Sequence, residues 1–243
     1  MTASDCPDPR SCPVPSHSSV DLRHLRTVAL DAGEPFFTAF SARRWPALFN
    51  SSGKGRSRFA PLVNSAGAVV PTLYGARTRT AALLETVFHN VHEKSSRDIT
   101  FLDLHQRGLA GLNVAERLVL VDLRDAELDK LGLRRSQLVT SPAAHYRCTT
   151  DWAVALHGRR VGAAATVGLL WRSRVAELAR HDSPLFGDLL PGASEEVFVL
   201  FGDLLTTTEA KAYSPLVESS DLSARRSLPL VASIAEQLGA TLA

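Results

Sequence analysis

The chain has 243 residues and 45% hydrophobic content, which supplies enough apolar surface for one domain with a well-packed core. Its 27 basic and 25 acidic residues give a net charge of +2, so the composition gives no general attraction to nucleic acid or to anionic membranes. No apolar run approaches the roughly 20 residues that cross a bilayer. The first residues also lack the pattern of a secretory signal, so we expect a cytoplasmic protein.

The first 19 residues are rich in Pro, Ser and Asp and contain almost no large apolar side chains. Such a segment buries too little surface to offset the entropy of ordering, so residues 1–19 are predicted to be a disordered tail before one domain at 20–243. Cys6 and Cys12 could bind a metal, but with Cys148 they form an odd set without paired spacing. The sequence therefore predicts neither a disulfide framework nor a metal site.

After the tail, apolar residues at intervals of about three predict a short amphipathic helix over residues 20–30. A Gly/Ser-rich loop that carries Arg56 and Arg58 comes next, followed by an apolar run at residues 68–74 with the β-branched and aromatic content of a strand. The strand ends at Tyr74. This order places two cations on a loop close to an aromatic residue at the end of a strand.

A helical pattern begins at Thr78 and continues to residue 91, with apolar residues three or four positions apart. Glu85 falls at the border of the apolar face, where a carboxylate can reach into a cleft while its helix packs on the core. Glu85, His89 and His92 lie roughly on one face, which suggests a metal site. However, the helical i, i+4 histidine pair of metalloproteases is missing, so we predict none.

The remainder of the chain mixes strands and helices without regular alternation. Strands are predicted at residues 99–104, 118–123, 167–171 and 197–201. Helices are predicted at residues 125–131, from Thr149 or Thr150 to Leu156, within a Pro/Gly-rich stretch at 174–194, and at 228–242. Residues 138–147 are expected to be irregular. The pattern indicates a single α+β domain with a mixed β-sheet flanked by helices.

Several segments together resemble one family. They are Arg44-Trp45 with Leu48-Phe49-Asn50, the Gly-Lys-Gly-Arg-Ser-Arg-Phe loop at residues 53–59, Leu73-Tyr74, the Thr-Ala-Ala-Leu-Leu-Glu-Thr-Val-Phe-His segment at residues 80–89, and the strands at residues 168–174 and 197–203. In this combination the chain resembles the RES-domain family over residues 43–203. The resemblance implies a compact mixed sheet similar to that of ADP-ribosyltransferases. It also implies a toxin that consumes NAD+ as a substrate, without a bound cofactor.

The resemblance implies a role for each motif residue. Glu85 would stabilise the oxocarbenium-like ribose that forms as nicotinamide leaves, and Arg58 would bind the pyrophosphate. Arg56 is the alternative, because the loop has two arginines where the family has one. Ser173 would be the third catalytic residue. The remaining expected substrate contacts are Tyr74, His89 and Arg174.

The resemblance implies phosphorolysis, in which inorganic phosphate is the co-substrate and ADP-ribose-1″-phosphate the product; water or a protein are the alternative acceptors of the ADP-ribose. Its implied partner is a helix-turn-helix antitoxin of the Xre type, and homo-oligomers are possible. The alternative to an enzymatic function is a non-catalytic module that binds a nucleotide or a partner. Nucleic-acid binding ranks last, because it depends only on two scattered pairs of basic residues, Arg134-Arg135 and Arg159-Arg160.

Overall fold

The computed structural model describes residues 6–44, 46–91, 96–175, 196–208 and 213–243. The strands in these ranges are β1 (Thr27–Leu30), β2 (Pro35–Ser41), β3 (Thr72–Ala76), β4 (Asp98–Ile99), β5 (Arg107–Asn113), β6 (Leu118–Asp122), β7 (Arg160–Val161), β8 (Ala164–Ala165), β9 (Gly168–Arg172), β10 (Glu196–Phe201), β11 (Leu216–Ser219) and β12 (Thr241–Leu242). The α-helices are α1 (Arg79–Leu84), α2 (Phe101–His105), α3 (Asp125–Lys130), α4 (Tyr146–Leu156) and α5 (Leu228–Gln237).

Eight of these strands form one mixed sheet in the order β1-β6-β9-β10-β3-β2-β5-β11. Within the described part of this sheet, β6 and β9 are the only parallel neighbours, and the other pairs are antiparallel. Two small sheets, β12-β4 and β7-β8, lie outside it. The predicted α+β domain with a mixed sheet flanked by helices is confirmed.

Apolar clusters lie on both faces of the sheet, and the side chains of β10 alternate between these clusters. Val197, Val199 and Phe201 belong to one apolar cluster, which includes residues of α1, α3, α4 and α5. Phe198 and Leu200 belong to a second cluster on the opposite face. Since side chains of a strand alternate between faces, a strand covered on both sides is apolar at nearly every position. For this reason the strands predicted at 118–123, 167–171 and 197–201 agree with β6, β9 and β10.

Two predicted elements differ in type from the structure. Residues 20–30 form a short 3₁₀ turn at Leu22–His24 and then β1, which pairs with β6, so tertiary pairing overrides the helical spacing. Residues 99–104 contain only the end of β4 before α2 begins. Thr100 accepts a hydrogen bond from the Asp103 N–H, and the Asp103 carboxylate accepts one in return from the Thr100 backbone, so this capping box starts a helix.

The segment with Glu85 also differs in extent. The strand begins at Thr72 rather than at residue 68, because Val70 donates to the Leu62 carbonyl in a separate turn. The helix predicted to reach residue 91 ends at Leu84, and Glu85 is its C-cap residue. Thr86 explains the early end, since its hydroxyl donates to the Ala82 carbonyl at 2.7 Å and competes with the backbone pattern.

Helix α4 begins earlier than predicted, at Tyr146. Thr149 and Thr150 do not cap it. Their hydroxyls instead donate to the Tyr146 carbonyl from inside the first turns. Helix α5 ends at Gln237, and the chain then forms β12 against β4. Of the stretch at 174–194, all but the first two residues lie outside the described ranges, as do Trp45 and His92.

The tail predicted to be disordered has a defined course over residues 6–19. Val14 is buried, the Pro15 carbonyl accepts a 2.8 Å hydrogen bond from the Trp152 indole, and residues His17–Ser19 form a 3₁₀ turn. Composition alone misses this because the segment packs through one apolar side chain, backbone groups and its cysteines rather than through a large core. No helix in the described ranges is long and apolar enough to cross a membrane.

Candidate functional site

A cleft of about 650 Å³ opens beside β2 and β3, in the size range of small-molecule sites. The loop at residues 51–57 forms one rim. Gly53 and Gly55 have φ angles of +64° and +105°, a backbone conformation that glycine adopts without strain, and this lets the loop turn over the cleft. Residues of β3, the end of α1 and the start of α4 complete the wall.

Five of the seven predicted site residues line this cleft. They are Arg56, Arg58, Tyr74, Glu85 and His89. Residues separated by up to 33 positions in sequence therefore converge, as the motif spacing predicts. Their local positions follow from the fold: β3 presents Tyr74, and the end of α1 presents Glu85.

Ser173 and Arg174 do not line the cleft. Ser173 follows β9 and is fully buried, two residues beyond Trp171, whose indole does line the wall. Arg174 follows Ser173 directly and is likewise not among the lining residues. The structure therefore brings neither the Arg174 side chain nor the Ser173 hydroxyl to the surface of the cleft.

Arg58 is a buried cation in the wall. Its Nη1 donates to the Leu138 carbonyl at 3.1 Å and to the carbonyl and hydroxyl of Ser141 at 3.0 and 2.9 Å. Its guanidinium carbon lies 5.0 Å from the centre of the Tyr146 ring, within cation–π distance. Burial lowers the pKa of Arg58, whereas nearby Tyr146 and Glu85 oppose that shift. Arg58 thus holds the segment at 138–141 in place while lining the cleft.

Arg56 differs from Arg58 in its setting. Arg56 is exposed at the rim, and its Nη2 makes only long hydrogen bonds of 3.4 Å to the carbonyls of Ala143 and Ala144. A ligand can replace such contacts at little cost, because exposed hydrogen bonds compete with water. The two arginines of the loop therefore have separate roles: one stiffens the wall, and the other is available at the rim.

Tyr74 is a neutral hydrogen-bonding group in the wall. Its hydroxyl lies 2.9 Å from the Ser57 hydroxyl and accepts the Phe59 N–H at 3.2 Å. Burial raises the pKa of Tyr74 to about 12, although its hydrogen bonds with Ser57 and Phe59 oppose the rise. Its ring packs edge-on against Trp171, with centroids 6.1 Å apart. Tyr74 therefore ties the arginine loop to the sheet and adds an aromatic surface.

Glu85 is the start of a polar relay through the cleft. Its Oε2 lies 3.7 Å from His89 Nδ1, which is close enough for electrostatic contact but too long for a hydrogen bond, and its side chain is 19% exposed. His89 Nε2 in turn lies 2.9 Å from the Tyr146 hydroxyl. Because α1 ends at Leu84, His89 reaches Glu85 from a turn and not from a continuous helix. The relay Glu85–His89–Tyr146 ends at the ring beneath Arg58.

Sequence reasoning missed several lining residues. Among the described lining residues, the exposed cations Arg44, Lys54 and Arg107 join Arg56 and Arg58, and Glu85 is the single carboxylate. Lys54 could have been found in the same Gly-rich loop. Arg107 and Tyr146 had no local signal, since each enters the cleft through long-range folding. The excess of positive charge suits an anionic ligand.

Tyr146→Phe should test the relay without removing the ring over which Arg58 lies. The change deletes the hydroxyl opposite His89, so unfolding free energy should fall by about 0.5–1.5 kcal/mol, the usual net contribution of one hydrogen bond. A double-mutant cycle with His89→Ala, measured by chemical denaturation, should return a coupling energy of the same size. Strictly additive single effects would show that the two side chains do not interact.

Comparison with known proteins gives the class of the chain. The family described as the RES domain matches residues 25–203, so the chain belongs to the RES-domain family. The match starts before residue 43, where the sequence motifs begin, and it includes β1 and β2. The chain is also similar to one in the "Crystal structure of the M.tuberculosis MbcT-MbcA toxin-antitoxin complex", with 10% identity, a TM-score of 0.49, and coverage of 87% of this chain and 92% of that one. Among curated proteins, none matches.

Proposed function

We propose that this protein cleaves the nicotinamide–ribose bond of NAD+ by phosphorolysis, giving nicotinamide and ADP-ribose-1″-phosphate. The observation that carries the proposal is that Glu85 is the single carboxylate among the described lining residues of a cleft that also presents five arginine or lysine side chains and several aromatic rings. An anionic dinucleotide suits the cations, and a reacting centre that becomes positive suits the carboxylate. Family membership adds the expectation of an NAD+-consuming toxin.

The proposed chemistry needs little from the protein beyond charge placement. As the C1′–N bond breaks, its electron pair returns to the pyridinium nitrogen, so nicotinamide leaves neutral and needs no proton. The ribose C1′ and its ring oxygen then share a positive charge. A phosphate oxygen donates its electron pair to C1′ and closes the new C–O bond. A carboxylate near C1′ lowers the barrier because its attraction is strongest in the transition state.

The chain's residues divide this work. Glu85 faces the developing charge, and His89, which is hydrogen-bonded to Tyr146, lies beside it in the relay. Arg56 and Lys54 at the rim bind the pyrophosphate, and Tyr74 with Trp171 offers rings against which the nicotinamide or ribose packs. Arg58 keeps the wall rigid and adds positive potential. Ser173 is fully buried and does not line the cleft, so we assign it no contact with substrate.

An Xre-type helix-turn-helix antitoxin is the partner we propose, by family resemblance, and its site would be the mouth of the cleft. Leu48 lines that mouth and is 54% exposed, an apolar side chain that a partner would cover. Binding there would exclude NAD+ by occupying the rim loop. A complex that forms without reducing NAD+ turnover would place the partner elsewhere.

The test compares the purified protein in phosphate with the same protein in sulfate of equal ionic strength, with NAD+ as substrate. Released nicotinamide is quantified by chromatography, and the sugar product is identified by ³¹P NMR. We expect ADP-ribose-1″-phosphate in phosphate and a much slower release in sulfate. Equal rates in the two buffers, with free ADP-ribose as the product, would identify water as the acceptor. ADP-ribose attached covalently to protein would identify the enzyme as a transferase. Tight NAD+ binding without release would indicate a binding module.

A further inference from the structure

Three cysteines and a histidine converge outside the cleft, at the junction of the N-terminal segment with α4. The donor atoms of Cys6, Cys12, His145 and Cys148 all lie within 4.8 Å of one another. The Cys12 and Cys148 sulfurs are 3.7 Å apart. His145 Nδ1 lies 3.4 Å from the Cys12 sulfur and 3.7 Å from the Cys6 sulfur. One ring nitrogen thus faces two thiols from the opposite end of the chain.

These distances are those of a tetrahedral metal shell. Zinc bonds of about 2.3 Å to sulfur and about 2.05 Å to nitrogen, at the tetrahedral angle, place two sulfurs about 3.8 Å apart and a sulfur and a nitrogen about 3.6 Å apart. A disulfide would instead need a sulfur–sulfur distance of about 2.0 Å. All three cysteines are free thiols. The arrangement therefore fits one ion among four donors better than it fits a covalent pair.

Two separate parts of the fold build this cluster. His145 ends the 3₁₀ turn Ala143–His145, and Cys148 follows in the first turn of α4, so the two donors project from one short stretch of backbone. The N-terminal segment brings Cys6 and Cys12 to them. Val14 and the bond from the Trp152 indole to the Pro15 carbonyl hold that segment against α4 independently of the thiols. His145 is itself buried, at 9% exposure.

We propose that Cys6, Cys12, His145 and Cys148 bind one Zn²⁺ in a Cys₃His site. Three thiols and one imidazole around tetrahedral geometry are the donor set of structural zinc, and a shell of four protein ligands leaves no position for substrate. On binding, the three thiols each release a proton to solvent, and three thiolates with one Zn²⁺ carry a net charge of −1. The site is thus structural.

Zinc at this position would fasten the N-terminal segment to one wall of the cleft. Tyr146, the end of the relay, follows His145 directly, and Arg56 donates to the carbonyls of Ala143 and Ala144 just before it. Fixing His145 and Cys148 therefore fixes the backbone from which Tyr146 projects. Metal loss should loosen this wall and the first turn of α4 together.

The experiment measures metal in the full chain, purified without chelator. Native and elemental mass spectrometry should find one zinc per chain. Cobalt(II) added after chelation should give the intense thiolate-to-metal charge-transfer band and the visible bands of a tetrahedral site. Cys148→Ser should weaken zinc binding by more than the roughly 10–100-fold that loss of a supporting outer-shell partner costs. The exposed histidine variant His24→Ala is the matched control and should keep its zinc.

If Cys148→Ser fails to fold, the wild-type protein provides a second test of zinc binding. Zinc added to chelated wild-type protein should raise the melting temperature, and magnesium should not, because hard cations avoid sulfur ligands. A folded wild type that takes up neither zinc nor cobalt would overturn the proposal. A Cys12–Cys148 disulfide in metal-free protein isolated under non-reducing conditions would overturn it as well.

Discussion

Glu85→Gln is expected to lower the rate of nicotinamide release from NAD+ by about 10²–10³, the usual cost of losing one group that stabilises transition-state charge. Glutamine keeps the size and polarity of the side chain, so the change removes little besides the negative charge. Melting temperature should stay close to that of the wild type, because the side chain reaches the cleft and is not packed in the core.

Glu236→Gln is the matched control for this change, since Glu236 is exposed on α5 and far along the chain from the cleft. It should release nicotinamide at the wild-type rate. If folded Glu85→Gln retained full activity, the carboxylate would have no part in the chemistry. The proposed role of the relay through His89 would then fail with it.

The second large effect is expected at Arg58, compared with Arg56. Arg58→Ala removes a buried charged donor from the carbonyls of Leu138 and Ser141, of which only the Leu138 carbonyl still accepts from the Ser141 hydroxyl, and hydrogen bonds from charged groups contribute about 1.5–3 kcal/mol each. We expect a loss of roughly that size in unfolding free energy, and a drop of several degrees in melting temperature. The wall of the cleft should loosen, so nicotinamide release should also fall.

Arg56→Ala should change stability by less than about 0.5 kcal/mol, because this side chain is exposed and its contacts are long. It should instead raise KM for NAD+, since we propose that this rim cation binds the pyrophosphate. The pair of variants also decides which arginine corresponds to the one of the family. A larger loss of kcat in Arg56→Ala than in Arg58→Ala would assign the chemistry to Arg56.

The sequence was sufficient where signals are local. Strands buried on both faces, such as β10, read as continuous apolar runs, and α3 is closed by Gly132 at φ +69°. The motif residues Tyr74 and Glu85 were located because their positions depend on a strand and the helix directly after it. The predicted element type was wrong at residues 99–104, where the capping box of Thr100 and Asp103 starts helix α2 in place of a strand.

The features of the site that the sequence did not predict depend on contacts between distant parts of the chain. Cys6 and His145 are 139 positions apart, so no spacing rule joins them, and a search for paired cysteines alone finds no metal motif. Tyr146 and Arg107 enter the cleft in the same way, through packing of distant segments. Ser173 was expected at the cleft because the family resemblance implies a third catalytic residue there, but at this end of β9 Trp171 lines the cleft and Ser173 is fully buried.

The place of β10 in the sheet has a consequence for protein synthesis on the ribosome. β3, which carries Tyr74, lies between β2 and β10, and β10 is also the neighbour of β9. The ribosome must therefore release the chain past residue 201 before the middle of the sheet can close. Until then the arginine loop has no complete wall to face. For the proposed activity, this means that a nascent chain gains a complete substrate site only after β10 has left the ribosome.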